Sequence, residues 1–253
     1  MTLFPVKPND FSHVFGPHPL FGAMLSYEDE HAYGILADAA AVIEVTDGNE
    51  DAFLSPGEKN RWKTIGSKSY RNLWLTGRVC ASILWARCAA GIDIVPWAEL
   101  ETISRNADGR GIRPQIFHCG NLVDRDLSIS HTLELVLVLL AKRSGLRVAC
   151  DIVAAGTVSE TVSQRFFLPS EQELHRDQVW AVKETAYKAM HENQSYMPLR
   201  WSTRNVGGNT FSCIDLDFGG NRSMSIETYC YRDHVIAVGG REERQKPERK
   251  ATQ

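Results

Sequence analysis

The residues best placed to do chemistry are an acid in mid-chain and an acid with two lysines further on. They are Asp151, within Ala149-Cys-Asp-Ile-Val153, and Lys183, Glu184 and Lys188, within Asp177-Gln-Val-Trp-Ala-Val-Lys-Glu-Thr-Ala-Tyr-Lys188. Two carboxylates and two lysines suit one task well, holding a divalent metal against a pyrophosphate: hard oxygens take the ion and ammonium groups offset the phosphate charge. The later segment reads as a helix. Asp177 is a good N-cap, and Val179, Val182, Ala186, Ala189 and Met190 recur at helical spacing as one apolar face. At about 100° per residue, Trp180, Tyr187 and Lys188 fall within ~60° of Glu184, on the opposite side. A simpler reading also exists, because Glu184 and Lys188 form the i,i+4 pair that commonly decorates a solvated helix. The elements around them decide between the two.

At 253 residues and 43% apolar content, the chain can bury a full core, as one large domain or as two fused halves. The six cysteines (Cys80, Cys88, Cys119, Cys150, Cys213 and Cys230) form no CxxC pair, so they read as small buried hydrophobes in a reducing, cytoplasmic compartment. The N-terminus carries Pro5, Pro8, Pro17 and Pro19 and no basic-then-apolar leader, which disfavours secretion. The longest apolar run, Leu135 to Ala141, is far short of a membrane span and reads as a buried strand. A net charge of −3 gives no general field for nucleic acid. Residues 241–253 mix both charge signs with few apolar residues and read as a disordered tail.

Along the chain, Ala32–Leu36 and Ala41–Val45 read as strands. Ser55, Pro56 and Glu58 open a helix as N-cap, first position and capping-box acid, and a second helix runs from about Ser69 to Ala90 with Gly91 as its stop. Strands follow at Glu99–Ser104 and Gln115–Phe117. Leu127–His131, Glu134–Lys142 and Leu146–Val153 then read as a three-strand meander. Helices are expected at Val158–Phe166, at Ser170–His175 with a Ser170/Glu173 capping box, and at Asp177–His191. The strands Thr210–Phe218, Ser223–Tyr231 and His234–Val238 close the chain. The fold class is therefore α+β, with two similar α/β halves packed side by side and a boundary near the Arg143–Gly145 turn: residues 1–145 and 146–240.

Five segments stand in a recognisable order: Gly111-Ile-Arg-Pro-Gln115, Leu127-Ser-Ile-Ser-His-Thr132, Val148-Ala-Cys-Asp-Ile-Val153, Arg165-Phe-Phe-Leu-Pro-Ser-Glu171 and Trp180-Ala-Val-Lys-Glu-Thr-Ala-Tyr-Lys188. From about Leu54 to Val238 the chain resembles the Sfp-type 4′-phosphopantetheinyl transferases, whose "GKP", "NISHS", "GIDIE", "RFFxxxE" and "WxxKExxxK" series these segments follow. The early segments Leu54–Arg61 and Arg71–Arg78 also look like that family's first helices.

The resemblance implies a pseudo-twofold, phosphopantetheinyl transferase-like fold with the active site in the cleft between the halves. It implies Mg²⁺-dependent transfer of the 4′-phosphopantetheine arm from coenzyme A to a serine of an apo acyl or peptidyl carrier protein, by a monomer. Asp151 and Glu184 would be the metal ligands, and Lys188 would contact the pyrophosphate. Either Glu184 or a metal-bound water would take the serine proton. Ser130 and His131 match the contact to the 3′-phosphate of coenzyme A, Arg71 and Arg113 match other phosphate contacts, and Lys183 joins that cofactor-binding set. Arg165–Glu171 and the helix after it would meet the carrier protein.

The chain also departs from the pattern. Val153 stands where the family commonly has a second acid, so either water fills that coordination position or metal binding is weaker. Ala149 replaces a glycine, Ser82 an arginine and Ser128 an asparagine. The alternative reading that follows is a relative with altered or lost chemistry, acting as a carrier- or coenzyme A-binding accessory protein.

Overall fold

A computed structural model describes residues 4–5, 24–88, 97–106, 108–190, 196–218 and 222–242. The first elements are β1 (Phe4–Pro5), β2 (Met24–Glu28), β3 (Ala32–Asp38), α1 (Ala39–Thr46), α2 (Pro56–Thr64) and α3 (Lys68–Cys88). Then come β4 (Leu100–Arg105), β5 (Gly111–His118), β6 (Asn121–Leu122), β7 (Leu127–His131), β8 (Leu135–Ala141) and β9 (Leu146–Ala154). The last are α4 (Glu160–Phe166), α5 (Arg176–Met190), β10 (Trp201–Gly207), β11 (Thr210–Asp215), β12 (Ser223–Tyr231) and β13 (His234–Glu242). They make a mixed α+β fold with two antiparallel five-stranded sheets, ordered β1-β2-β3-β8-β7 and β10-β11-β12-β13-β9, and a small sheet β4-β5-β6.

The alternation of side chains across each strand gives the layering. In β8, Val136, Val138 and Leu140 join the cluster under α3, while Leu135, Leu137, Leu139 and Ala141 face the other way. There they meet Val148, Cys150 and Ile152 of β9 and Ile236 and Val238 of β13. The two large sheets thus pack face to face with a helix behind each: α3 behind the first and α5 behind the second. A strand covered on both faces needs apolar residues at every position, which is why Leu135–Ala141 is an unbroken apolar run. Within the first sheet, Gly34 of β3 makes room for its cross-strand partner in β8: an added Cβ would lie 2.6 Å from Leu139 Cδ2.

Several expectations hold. Ser55 and Glu58 form the capping box of α2 with Pro56 at its first turn. The apolar stripe of α5 is buried in full: Val179, Val182, Ala186, Ala189 and Met190. Others change. Ala41–Val45 is not a strand but part of α1, because the Asp38 carboxylate accepts from Ala40 N and Ala41 N and starts a helix whose Val42 and Thr46 are buried one turn apart. The expected meander breaks at the Arg143–Gly145 turn: β9 pairs with β13 rather than β8, so the chain passes there from one sheet to the other.

Asp177 does not cap α5. It lies inside the first turn, and its carboxylate accepts from Gly156 N and Val158 N, fixing the loop after β9. The Ser170/Glu173 box is replaced by a single turn, Pro169–Glu171, in which Glu171 accepts from Leu168 N. Arg241 and Glu242, expected in a tail, pair with Arg147 and Leu146 in the β13–β9 ladder. Gly91 and residues 243–253 lie outside the described residues. Among the described residues, no helix is long and apolar enough to cross a membrane.

Candidate active site

Strand β9, helix α5 and the end of β7 bring the expected acids together. In β9, Cys150 and Ile152 face the neighbouring sheet, which turns Ala149, Asp151 and Val153 toward α5. Asp151 is 4% exposed. Its Oδ1 accepts from Ser130 Oγ at 2.7 Å and from Lys188 Nζ at 2.7 Å. Lys188 Nζ also donates to Cys150 O at 3.2 Å and Ser130 Oγ at 3.2 Å, and lies 3.7 Å from Glu184 Oε2. Asp151, Lys188 and Trp180 are the groups whose charge or polarity acts on the Glu184 carboxyl. Ser130 of β7 and Lys188 and Trp180 of α5 therefore converge on one pair of carboxyl groups.

Burial sets the charge state of this group. Desolvation pushes the Glu184 carboxyl up from 4.5 to about 7, and the charge of Asp151 adds to that rise, while Lys188 opposes it. With a pKa of about 7, Glu184 exchanges its proton near neutrality. Burial pulls Lys188 down, but the carboxylates of Asp151 and Glu184 outweigh it and hold the ammonium above its ordinary value. His131 is lowered, first by desolvation and then by the Lys188 charge, so its ring is neutral at pH 7.

Two cavities meet at this point. The smaller, about 620 Å³, is floored by Asp151, Glu184, Trp180 and Val153, and the larger, about 1170 Å³, is bordered by Arg78, Arg110, Arg113, Arg125 and Arg147. Ile129, His131 and Lys188 line both, so the acid pair opens toward an arginine-rich chamber. His131 stands exposed at the junction with its ring edge-on to Tyr70, 6.0 Å between centroids.

Not every residue expected here faces a cavity. Lys183 is fully buried; its Nζ lies 2.6 Å from Glu171 Oε2 and donates to Pro198 O at 3.1 Å. Its assignment to cofactor binding is therefore corrected: it is a core cation neutralising Glu171. Glu171 in turn accepts from Leu168 N, Thr203 N and Thr203 Oγ1, joining the loop after α4 to β10. Arg113 borders the larger cavity but turns its fork inward. Nε and Nη2 donate to Asp126, Nη1 to the Lys188 carbonyl near the end of α5, and Nη2 also to Val148 O at 2.7 Å. Its guanidinium holds helix and strand together, and Arg110 and Arg125 remain beside it in the cavity wall. Arg71 is outside both cavity linings; its Nε donates to Ile65 O at 3.1 Å and its guanidinium lies over the Trp62 ring. In the Arg165–Glu171 segment, Phe167 is core, while Phe166 is half-buried against Trp180.

The structure adds residues that local pattern did not single out. Trp180 lines the cavity beside Glu184, and Tyr196 meets Trp180 edge-to-face and lies tilted against Tyr187, with a buried hydroxyl that has no hydrogen-bond partner among the described residues. The tryptophan was legible from its helical phase with Glu184. Tyr196 approaches from a separate segment, and its position carries no local signal. No family model matches the chain, and no curated protein matches it.

Asp151 and Glu184 are the residues here that could hold a divalent cation. They supply hard oxygens, and both line the smaller cavity, where a divalent cation could reach them. Mg²⁺ commonly takes only one or two protein carboxylates, with water and phosphate oxygens completing its shell. The apolar Val153 beside them is compatible with that count.

Proposed function

We propose that this chain is a 4′-phosphopantetheinyl transferase: it moves the phosphopantetheine arm of coenzyme A to a serine hydroxyl of an apo carrier protein. The observation that carries the reading is the meeting of Asp151, Glu184 and Lys188 at the junction of a small acidic cavity and a larger arginine-bordered one. The larger cavity matches a nucleotide bearing several phosphates, and the smaller leaves room for a protein side chain to approach the pyrophosphate. On this reading the two helix-backed sheets are the two halves of a pseudo-twofold transferase, and the site lies in the cleft between them.

In the reaction, the serine oxygen forms a bond to the β-phosphorus, and the bond from that phosphorus to the bridging oxygen breaks. Adenosine 3′,5′-bisphosphate leaves with the electron pair. Lys188 sits where charge accumulates on the pyrophosphate and offsets it. Glu184 Oε2 is positioned to accept the serine proton, with a pKa matched to neutral pH. Ser130 and Lys188 keep the Asp151 carboxylate in one orientation. Asp151 and Glu184 would hold Mg²⁺, which would supply Lewis-acid neutralisation of the pyrophosphate.

The test is incubation of the full chain with apo carrier protein, coenzyme A and Mg²⁺, read by intact mass. The expected result is a carrier heavier by one phosphopantetheine group. Unmodified acyl, aryl and peptidyl carriers alike would refute the reading. They would favour instead an accessory protein that binds carrier or coenzyme A without transfer, an alternative resting on the missing acid at Val153.

A further inference from the structure

The smaller cavity is also lined by a second group of side chains that could ligate a metal: Glu134, Asp233 and His234. They come from two turns on different sheets. Glu134 lies in the turn between β7 and β8, whereas Asp233 and His234 lie in the hairpin between β12 and β13. One ligand atom from each lies within 4.8 Å of the others. In a tetrahedral shell, donors at ~2.1 Å from Zn²⁺ stand ~3.4 Å apart, so side-chain shifts on the order of 1 Å bring these atoms onto one ion.

The histidine gives the independent sign that a ligand belongs there. His234 is 4% exposed, and its Nδ1 is buried with no hydrogen-bond partner among the described residues. Nδ1 lies 3.0 Å from Asp233 Oδ1, an ion pair only when the ring is protonated, and makes no hydrogen bond among the described residues. With a neutral ring, this nitrogen and this carboxylate oxygen are two metal-ligand atoms side by side. The other ring nitrogen, Nε2, is 3.2 Å from Thr132 Oγ1. With Nε2–H donated to that hydroxyl, Nδ1 is left as a free donor, the arrangement typical of a metal-bound imidazole.

The frame behind these side chains is fixed before any ion arrives. Ala39 N donates to Glu134 O at 2.8 Å, and Thr132 Oγ1 accepts from Leu135 N at 3.2 Å. Ala155 N donates to Asp233 O, and Arg232 reaches across to Asp38 at 3.0 Å, tying the same hairpin to the first sheet. Glu134 and Asp233 are exposed, so water can complete the shell of an ion.

We propose that Glu134, Asp233 and His234 form a second divalent-cation site that staples the two large sheets together at the small cavity. One imidazole with two carboxylates favours Zn²⁺ over Mg²⁺, because Mg²⁺ prefers an all-oxygen shell. The site is distinct from the Asp151–Glu184 pair in residues and in the ion it selects. Its existence does not depend on transferase activity and is read by binding alone.

The experiment is Zn²⁺ titration by calorimetry on the full chain, carrying Asp151→Asn and Glu184→Gln to silence the acid pair. His118→Gln and Cys119→Ser silence the separate exposed Glu99–His118–Cys119 cluster. This parent binds one Zn²⁺, and Mg²⁺ in large excess does not compete. Adding Glu134→Gln or Asp233→Asn, both exposed turn positions whose loss leaves the fold intact, weakens Zn²⁺ binding about tenfold or more. Zn²⁺ also raises the melting temperature of the parent but not of the Glu134→Gln/Asp233→Asn variant. The proposal is overturned if the parent binds no Zn²⁺, if Mg²⁺ displaces Zn²⁺ at equal concentration, or if both variants bind within twofold of the parent.

Discussion

The acid best suited to catalysis is also one the fold holds at a cost, and the substitution Glu184→Gln exposes that cost. Glu184 titrates at about 7 in the folded chain against an ordinary 4.5, mainly because burial disfavours its charge. At ~1.4 kcal/mol for each tenfold change, this rise corresponds to roughly 3 kcal/mol at most. A folded pKa above the unfolded one means the stabilising contribution is intact below about pH 4.5. It is lost progressively as the pH rises through 7, because the unfolded chain releases the proton first. A glutamine at this position has no proton to lose and keeps an amide that can donate to Asp151, so the variant escapes the penalty. The assay is urea unfolding of both proteins at pH 5 and pH 8, in chelator to exclude divalent ions. The stability gap in favour of Glu184→Gln widens by about 2 kcal/mol between the two pH values. All other titrating groups are common to both proteins and cancel in that difference, apart from Lys188, whose charge Asp151 continues to hold. A gap that stays constant, or a variant less stable than the parent at pH 8, would show that the carboxyl is not proton-bound and would remove the basis for its role as a base.

Asp151→Ala and Glu184→Ala each lower transfer by about 10³-fold or more while the far-ultraviolet spectrum stays native, since both side chains line a cavity; intact-mass kinetics check this, and wild-type turnover in either removes the metal assignment. Val153→Glu puts a third acid on the face of β9 that carries Asp151, two residues along, and tightens apparent Mg²⁺ affinity by about tenfold in a magnesium titration; an unchanged affinity shows that this position does not reach the ion. Lys183→Ala leaves the Glu171 carboxylate fully buried without its cation and destabilises the fold by about 3–5 kcal/mol in urea unfolding, and a loss below ~1 kcal/mol refutes the structural role given to this pair.

The part of the site that could be read in the sequence is the part encoded locally. Helical phase alone put Trp180, Glu184 and Lys188 on one side of α5 and the apolar stripe on the other, and both sides stand as expected. The capping box of α2 and the doubly buried strand β8 are equally local: one needs four consecutive residues, the other an unbroken apolar run. What escaped is set by partners distant in the chain. Lys183 sits one residue before Glu184, so its type and position suggest the same task. Its side chain is nevertheless claimed by Glu171, whose carboxylate would otherwise be buried without a cation. Arg113 is drawn inward in the same way by Asp126 and by the carbonyl at the end of α5. The partner of β9 could not be decided from its turn, since Arg143–Gly145 serves equally for a hairpin and for a step between sheets. That ambiguity bears directly on the site: had β9 paired with β8, Asp151 would belong to the first sheet and α5 would have no strand of acids to face. The pairing of β9 with β13 over its whole length, including Asp151 opposite Ala237, keeps that carboxylate under the helix that carries Glu184.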